Sequence, residues 1–415
     1  MRRTTLARAG AAAVGMVLVA EAAVWLLRPR PAPIAPVPVA EGDYFTPAQI
    51  DRGSDFTTGQ LWLFCGGLAI EVAVLGAAAA GRPATVRRAL ARASGRPLLG
   101  AAATGAGLSV AVAVASLPVA IAAHDRAVAY GVSRQSLGSW LGDAAKAGAI
   151  GAVLAGAGGV LLVAVVRRFP RRWWIPGSVL AVAAAAVLTW LAPVVLAPLF
   201  NRFEALPRRS GARAEVLRLA DRAGVDVGGV YRVEASRKVR ALNAYVDGIG
   251  STRRVVLYDN LIRGTDRAEL GSVVAHELGH VKHDDILRGL AFVALVAPLG
   301  LLFARSVADP LARRGGFEPG SAGSIPAFAL ALTLAALVLG IVGNQLSRQV
   351  EASADTFALD LTHHPRPFIE LQRKLTLSAV GDPAPGAVAQ FLFGTHPTAV
   401  ERIGAALAYE RGARG

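Results

Sequence analysis

Seven apolar stretches limit what this chain can fold into more than any other feature. They run Ala9–Leu27, Leu61–Ala80, Leu98–Ala123, Ala147–Val166, Ile175–Leu199, Ile286–Ala304 and Ile325–Leu346. The hydrocarbon core of a bilayer is about 30 Å thick, and ~20 helical residues cross it. Each stretch is that long or close to it, so the expectation is a mainly α chain with seven spans, a multi-pass protein of the cell membrane. Composition agrees: 53% of the 415 residues are hydrophobic and only 18% are charged, too apolar for an ordinary water-soluble chain. The first 27 residues have the basic start and apolar middle of a signal peptide. Arg28-Pro29-Arg30-Pro31 follows at once without a small-residue cleavage site, so the first stretch is expected to stay as an anchor.

The formal net charge is +15, carried almost wholly by arginine; Lys146, Lys238, Lys282 and Lys374 are the only lysines. A basic chain first suggests a nucleic acid, but no nucleic-acid-binding motif accompanies the charge. The arginines mostly flank apolar stretches, where they anchor spans and set orientation, so the partner they imply is the lipid bilayer, with no nucleic acid. Arg28–Val39 repeats proline every two or three residues and reads as an extended link. Asp43–Thr58 reads as a short polar extramembrane segment, Gly81–Pro97 as a solvated loop, and Asp125–Lys146 as a polar loop with Trp140 at the interface. Arg167, Arg168, Arg171 and Arg172 with Trp173 and Trp174 read as a tight basic turn belted by aromatics. Cys65 is the sole cysteine, which excludes an intrachain disulfide and a cysteine-held metal.

Residues 201–285 form the main water-facing segment. Ala212–Ala223 has helical apolar spacing, and Val230–Val233, Leu242–Val246 and Val255–Tyr258 read as three short strands, with Gly248-Ile249-Gly250-Ser251 turning between the last two. The run Asp266–Ala275 again has helical spacing and leads into His276-Glu277-Leu278-Gly279-His280. On a helix this H-E-x-x-H pattern is a zinc-peptidase site. Histidines four apart lie one turn apart on one face, so both imidazoles reach a single Zn²⁺ at about 2.0–2.1 Å. Glu277 is placed to take a proton from the water such an ion activates.

A catalytic zinc site needs a third protein ligand and one open position. His283 is seven residues from His276, about 10 Å along a helix axis, too far to share the ion. Glu351 is the better candidate. Asn344, Arg348, Glu351 and Asp355 are spaced four, three and four apart, one polar stripe beginning inside the end of an apolar stretch, where polar groups are costly and usually functional. Asp355, one turn beyond Glu351, suits a carboxylate that orients a ligand imidazole. The bland alternatives are a surface helix that happens to carry His, Glu and His, and a solvated charged face on a helix leaving the membrane. His124, His363 and His364 read as surface histidines in loops.

In chain order, Pro198-Leu199-Phe200-Asn201, Asn243-Ala244-Tyr245 through Arg254–Asp259, His276–His280, Ser347–Ala358, and Thr395-His396-Pro397 with Arg402 resemble the blocks of the type I CAAX prenyl protease family, gluzincin-like membrane zinc metallopeptidases. The likeness runs from about Tyr44 onward. It implies a seven-span helical chamber with a small α+β zinc metallopeptidase domain at one end. It implies one zinc per chain on His276, His280 and Glu351, with Glu277 as general base and Asp355 as a supporting acid. His396 resembles the late histidine that hydrogen-bonds the oxyanion, and Arg402 would brace it. Asn243 and Ala244 resemble an edge strand that pairs with substrate backbone; with Asn344 and Arg402 they make up the expected substrate-binding set.

The division expected is an anchor and Pro-rich link over 1–43, spans two to five over 44–200, and a metallopeptidase domain over 201–415 that includes spans six and seven at about 286–304 and 325–346. The expected function is that of an integral-membrane zinc endopeptidase acting on peptide or membrane-protein substrates, in quality control or peptide processing. The alternatives are a catalytically silent, zinc-stabilised scaffold and a transporter or channel. Glu277 argues against the first, since a structural metal site has no use for a free carboxylate, and the lack of paired broken-helix repeats argues against the second. Orientation stays open: the arginine-rich short segments put the zinc domain outside, whereas the resemblance puts it on the cytosolic side.

Overall fold

The computed structural model describes residues 3–30, 32–248 and 253–412. The expected turn at Gly248–Ser251 lies, beyond Gly248, outside the described residues. The membrane part begins with α1 (Arg3–Leu27), α2 (Pro47–Ala79), the short α3 (Ala84–Ser94), α4 (Pro97–Ala129), α5 (Leu137–Arg168) and α6 (Trp174–Leu191). A five-residue π-turn, Ala192–Leu196, and the single turn α7 (Ala197–Phe200) complete the fifth crossing. Then come β1 (Phe203–Ala205), α8 (Gly211–Ala223), β2 (Gly229–Val233), β3 (Ala244–Asp247), β4 (Arg254–Tyr258), α9 (Asp259–Gly264) and α10 (Arg267–Lys282). Two long helices, α11 (Asp285–Arg314) and α12 (Ile325–Thr362), return to the bundle, and α13 (Pro365–Ala379), α14 (Ala387–Phe393) and α15 (Ala399–Gly412) close the chain.

Among the described residues, seven helices are long and apolar enough to cross a membrane, which makes this a multi-pass membrane protein. Its bundle is apolar on the outside: Trp62, Val114, Val153, Val179 and Val187 are more than half exposed, a surface that lipid tails satisfy and water does not. Inside, small residues let helices approach; Ala304, Ala308, Ala312, Ala327 and Ala331 are all buried around Phe328 and Trp173.

Several connections differ from expectation, for one reason: hydropathy falls at a membrane surface while the backbone can stay helical. Gly81–Pro97 is not a solvated loop; it carries α3, which buries Leu90 and exposes its arginines. Helices α4 and α5 run on past their apolar stretches, leaving only 130–136 between them in place of the loop expected at Asp125–Lys146. His124 is therefore helical and buried, stacked on Trp140 at 4.9 Å, and is not a loop histidine. Most of the expected segment Asp43–Thr58 belongs to α2, started by a capping box between Thr46 and Gln49. Trp173 is 2% exposed and packs edge-on against Phe328, so it fills the bundle and does not belt it.

The water-facing part is built on a four-stranded sheet in the order β1-β2-β4-β3. β2 and β4 are parallel, and the outer pairs β1–β2 and β3–β4 are antiparallel. Strand β1, absent from the sequence reading, is only three residues long and pairs through Glu204 opposite Arg232. Helix α10 covers the sheet. Asp266 caps it, accepting from the Ala268 and Glu269 amides at 2.8 Å each, and Glu269 returns the bond to Asp266 N at 2.9 Å. Leu270, Val273, Val274 and Leu278 share a core with Val230, Val255 and Leu257 of the sheet and Leu219 of α8. Each such side chain stabilises the fold by roughly 1.5–3 kcal/mol, and so many on sixteen residues leave α10 nowhere else to go.

The opposite face of α10 meets α12 so closely that even a Cβ at residue 279 would crowd its neighbours. A Cβ there would lie 3.2 Å from Phe357 Cδ1 and 3.3 Å from Ala354 Cα. Gly279→Val is expected to push the helices apart and cost about 1–3 kcal/mol of stability, read as a lowered Tm in detergent. A variant as stable as the parent would mean that this crossing is slack. The Pro-rich link also packs here: Ile34 N donates to Thr356 Oγ1 at 3.0 Å, and Val37 N donates to Gly404 O at 3.3 Å. A Cβ at Gly404 would sit 2.3 Å from Val37 O.

Candidate metal centre and substrate cleft

Helices α10 and α12 bring His276, His280 and Glu351 together. Their nearest ligand atoms all lie within 4.8 Å of one another. His276 Nε2 is 3.2 Å from Glu351 Oε2 and 3.2 Å from His280 Nε2, and His280 Nε2 is 3.6 Å from Glu351 Oε1. The outer nitrogens face carboxylates: His276 Nδ1 is 2.9 Å from Asp355 Oδ1 and His280 Nδ1 is 2.9 Å from Asp285 Oδ2. Each carboxylate accepts a hydrogen bond from Nδ1–H, which fixes the tautomer and turns Nε2 of both rings toward Glu351.

That arrangement fits a cation. Two lone pairs and a carboxylate converge with no donor between them, and Glu351 Oε2 is buried without a hydrogen-bond partner. Burial works against charge on His276, but the facing carboxylates of Asp355 and Glu351 outweigh it and push this imidazole up to about 10, so a proton competes with a cation for the same Nε2 lone pair. The cluster thus demands positive charge at one point. Two imidazoles and one carboxylate are ligands that divalent zinc accepts, with room for a fourth.

Asp355 is 2% exposed and fully engaged: Arg402 Nε donates to Oδ2 at 2.8 Å, and Arg402 Nη2 also bonds Oδ1, the atom facing His276. Arg288 Nη1 does the same for Asp285 Oδ1 at 2.7 Å. Neither Asp285 nor Arg288 figured in the sequence reading; the only signal was an acid five residues after His280. His283, set aside as a ligand, packs edge-on against Phe357 and lies 3.4 Å from Ser353 Oγ.

A cleft of about 110 Å³ opens beside the cluster, lined by Asn243, Ala244, Ser272, His276, Glu277, His396 and Arg402 among others. Glu277 makes no hydrogen bond or ion pair among the described residues, and burial pushes its carboxyl up. His396 Nε2 is 3.4 Å from Glu351 Oε2, although the residue follows α14, far along the chain. The polar stripe on α12 explains this placement. Arg348 Nη1 donates to Gly394 O at 2.6 Å and Gln390 O at 3.2 Å, Asn344 Nδ2 donates to Leu392 O at 2.9 Å, and Gln390 Nε2 donates to His396 O at 2.7 Å. Asn344 thus stands apart from the rest of the expected set. It ties down the backbone leading to His396 and borders a cavity between α6, α11 and α12, not the cleft.

Strand β3 forms one wall of the cleft. Its register pairs Ala244 with Leu257, and Tyr258 N donates to Asn243 O at 3.0 Å. In an antiparallel ladder this makes 243–258 a bonded pair and 244–257 a non-bonded one. The N–H and C=O of Ala244 therefore point away from β4, toward the unpaired side of the strand, where the residue is 2% exposed and lines the cleft.

A helical membrane bundle carrying three groups that could hold a metal ion, beside a free carboxylate, defines a metallopeptidase-like membrane protein, and its likeness to known proteins specifies it further. The profile of peptidase family M48 matches residues 208–410, and that of the CAAX prenyl protease N-terminal region, five membrane helices, matches 54–202. The chain belongs to the type I CAAX prenyl protease and M48 peptidase family. It is 27% identical over 71% of its length to a protein of Bacillus subtilis named uncharacterized metalloprotease YhfN, covering 70% of that protein. It is 33% identical over 54% of its length to the CAAX prenyl protease 1 homolog of Oryza sativa, spanning about half, 53%, of that relative. The crystal structure of S. mikatae Ste24p superposes with a TM-score of 0.78 over 98% of this chain and 99% of that one; at 17% identity the likeness is one of fold.

Proposed function

We propose that this protein is an integral-membrane zinc endopeptidase of the cell membrane that cleaves peptides or membrane proteins. The observation that carries this reading is the uncommitted Glu277 carboxylate beside three converged ligand groups, at the foot of a cleft with an open strand edge. One zinc per chain would be held by His276, His280 and Glu351. When bound, it supplies Lewis acidity toward water and toward the scissile carbonyl.

The chain's own groups do the rest. Asp355 and Asp285 hold the imidazoles in the ligating tautomer and orientation. Arg402 keeps Asp355 ionised in place, so both act as positioning residues. Glu277 accepts a proton from water as its oxygen attacks the carbonyl carbon, and delivers that proton to the amide nitrogen as the C–N bond breaks. Asp355 has no oxygen free for that delivery. His396 donates a hydrogen bond to the developing oxyanion. The catalytic unit in this reading is 201–415, carried on spans two to five within 44–200 and tethered by 1–43. Proteomics of membranes holding the parent or Glu277→Gln protein tests it: fragments present only with the parent are expected, and identical fragment sets would overturn the proposal.

Substrate is held as an added strand on β3. Ala244→Pro deletes an outward donor without removing a bond to β4. The expected result is a loss of about tenfold in kcat/KM across unrelated peptides, the worth of one hydrogen bond, with metal still bound and circular dichroism unchanged. Unchanged cleavage across the panel would mean that substrate docks elsewhere.

A further inference from the structure

One end of the bundle gathers the arginines. The segment 80–96 has five arginines and no acid, and 167–173 has four and no acid. The fold joins these two segments with 305–324 into one surface: Gly323 N donates to Ser94 Oγ at 3.0 Å, Arg305 bonds the carbonyl of Arg171, and a Cβ at Gly320 would touch Val166 and Arg167. Helix α3 lies on this surface with Arg87, Arg88 and Arg92 exposed and Leu90 buried, the habit of a helix in a headgroup layer. The acids Asp309 and Glu318 face Arg305 at 3.5 Å and Arg313 at 3.7 Å. The arginines of 82–96 and 167–172 have no carboxylate partner among the described residues.

The other end is different. Between its apolar stretches, 28–60 carries Arg28, Arg30 and Arg52 against Glu41, Asp43, Asp51 and Asp55, and 124–146 carries Arg126, Arg134 and Lys146 against Asp125 and Asp143. The metal cluster belongs to that end. Helix α12 starts at Ile325 beside the arginine surface and reaches Glu351 after 26 residues, about 39 Å at 1.5 Å per residue, more than the ~30 Å hydrocarbon core. That length is enough for a bilayer core to lie between the two.

We propose that the arginine surface lies among the anionic headgroups of the cytoplasmic leaflet and that the metal centre faces the opposite compartment, where it meets extracytoplasmic polypeptide segments. Charge in short connections sets orientation, and here the alternation is complete, from the arginines before the first span through 80–96 and 167–173 to 305–324. This is the reverse of what the family resemblance implies. The statement about substrates rests on the peptidase reading, whereas the orientation does not.

The test is cysteine accessibility in the full chain. With Cys65 replaced by alanine, single cysteines are placed at exposed positions by Arg88→Cys, Arg171→Cys and Arg209→Cys, and sealed spheroplasts are treated with a membrane-impermeant maleimide. Labelling in detergent first establishes that each thiol is reachable and each variant present. At Arg209→Cys, between β1 and α8, labelling in spheroplasts is expected to equal that in detergent; at the other two it is expected to be at least about tenfold weaker. The opposite pattern, or equal labelling at all three positions in spheroplasts, would overturn the orientation. Because labelling needs no activity, that failure would leave the peptidase reading standing.

Discussion

Glu277→Gln should fold, retain its metal and lose at least about 10²–10⁴-fold in turnover, the usual cost of removing a general base. Position 277 is the one place in the cleft where a carboxylate stands beside the ligands without serving them. His276 leans on Asp355, His280 leans on Asp285, and Glu351 faces both imidazoles. Glutamine keeps the size and the half-buried setting but cannot accept the water proton, so the loss should appear in kcat with KM little changed. Zinc analysis and turnover on the same preparation check it. A variant with near-parental kcat would remove Glu277 from the mechanism and favour a scaffold role for the metal.

Taking away a ligand should act on the metal itself. His280→Ala and Glu351→Ala each leave two protein groups where three converge. The affinity loss should exceed the 10–100-fold that outer partners of ligands typically carry, so zinc should be absent after dialysis against a weak chelator. Asp285→Asn should lie within that 10–100-fold range, because it only orients His280. Activity should follow zinc content in all three. Full occupancy in Glu351→Ala together with loss in His283→Ala would contradict the assignment, although His283 is turned toward Ser353 and Phe357.

The spans and the pairing of His276 with His280 were readable because each rests on a short-range rule. About twenty apolar residues must become a crossing, and histidines four apart must share a helix face. Helix ends were not readable, since residues such as Pro47 to Gln60 or Asp125 to Ala129 continue a helix beyond the apolar core, where composition no longer signals it. Trp173 beside four arginines looks like a belt residue, and only its contact with Phe328 shows otherwise. The stripe from Asn344 to Asp355 was visible as a stripe, but its division of labour was not. Two members bond the backbone around α14 that leads to His396, one faces the imidazoles of His276 and His280, and one bonds His276 Nδ1. Asp285 escaped notice because a carboxylate that orients a ligand can come from anywhere the fold allows. The outward-facing amide of Ala244 depends on the register against β4, which no local pattern states.

The most direct measurement is a zinc titration of activity. Purified protein in detergent is stripped with chelator, and cleavage of an unstructured peptide is followed as zinc is added back. The account predicts no cleavage in the stripped protein, recovery that saturates at about one zinc per chain, and no recovery at any zinc level in Glu277→Gln or Glu351→Ala. Cleavage that survives stripping, or that Glu277→Gln recovers as fully as the parent, would contradict it.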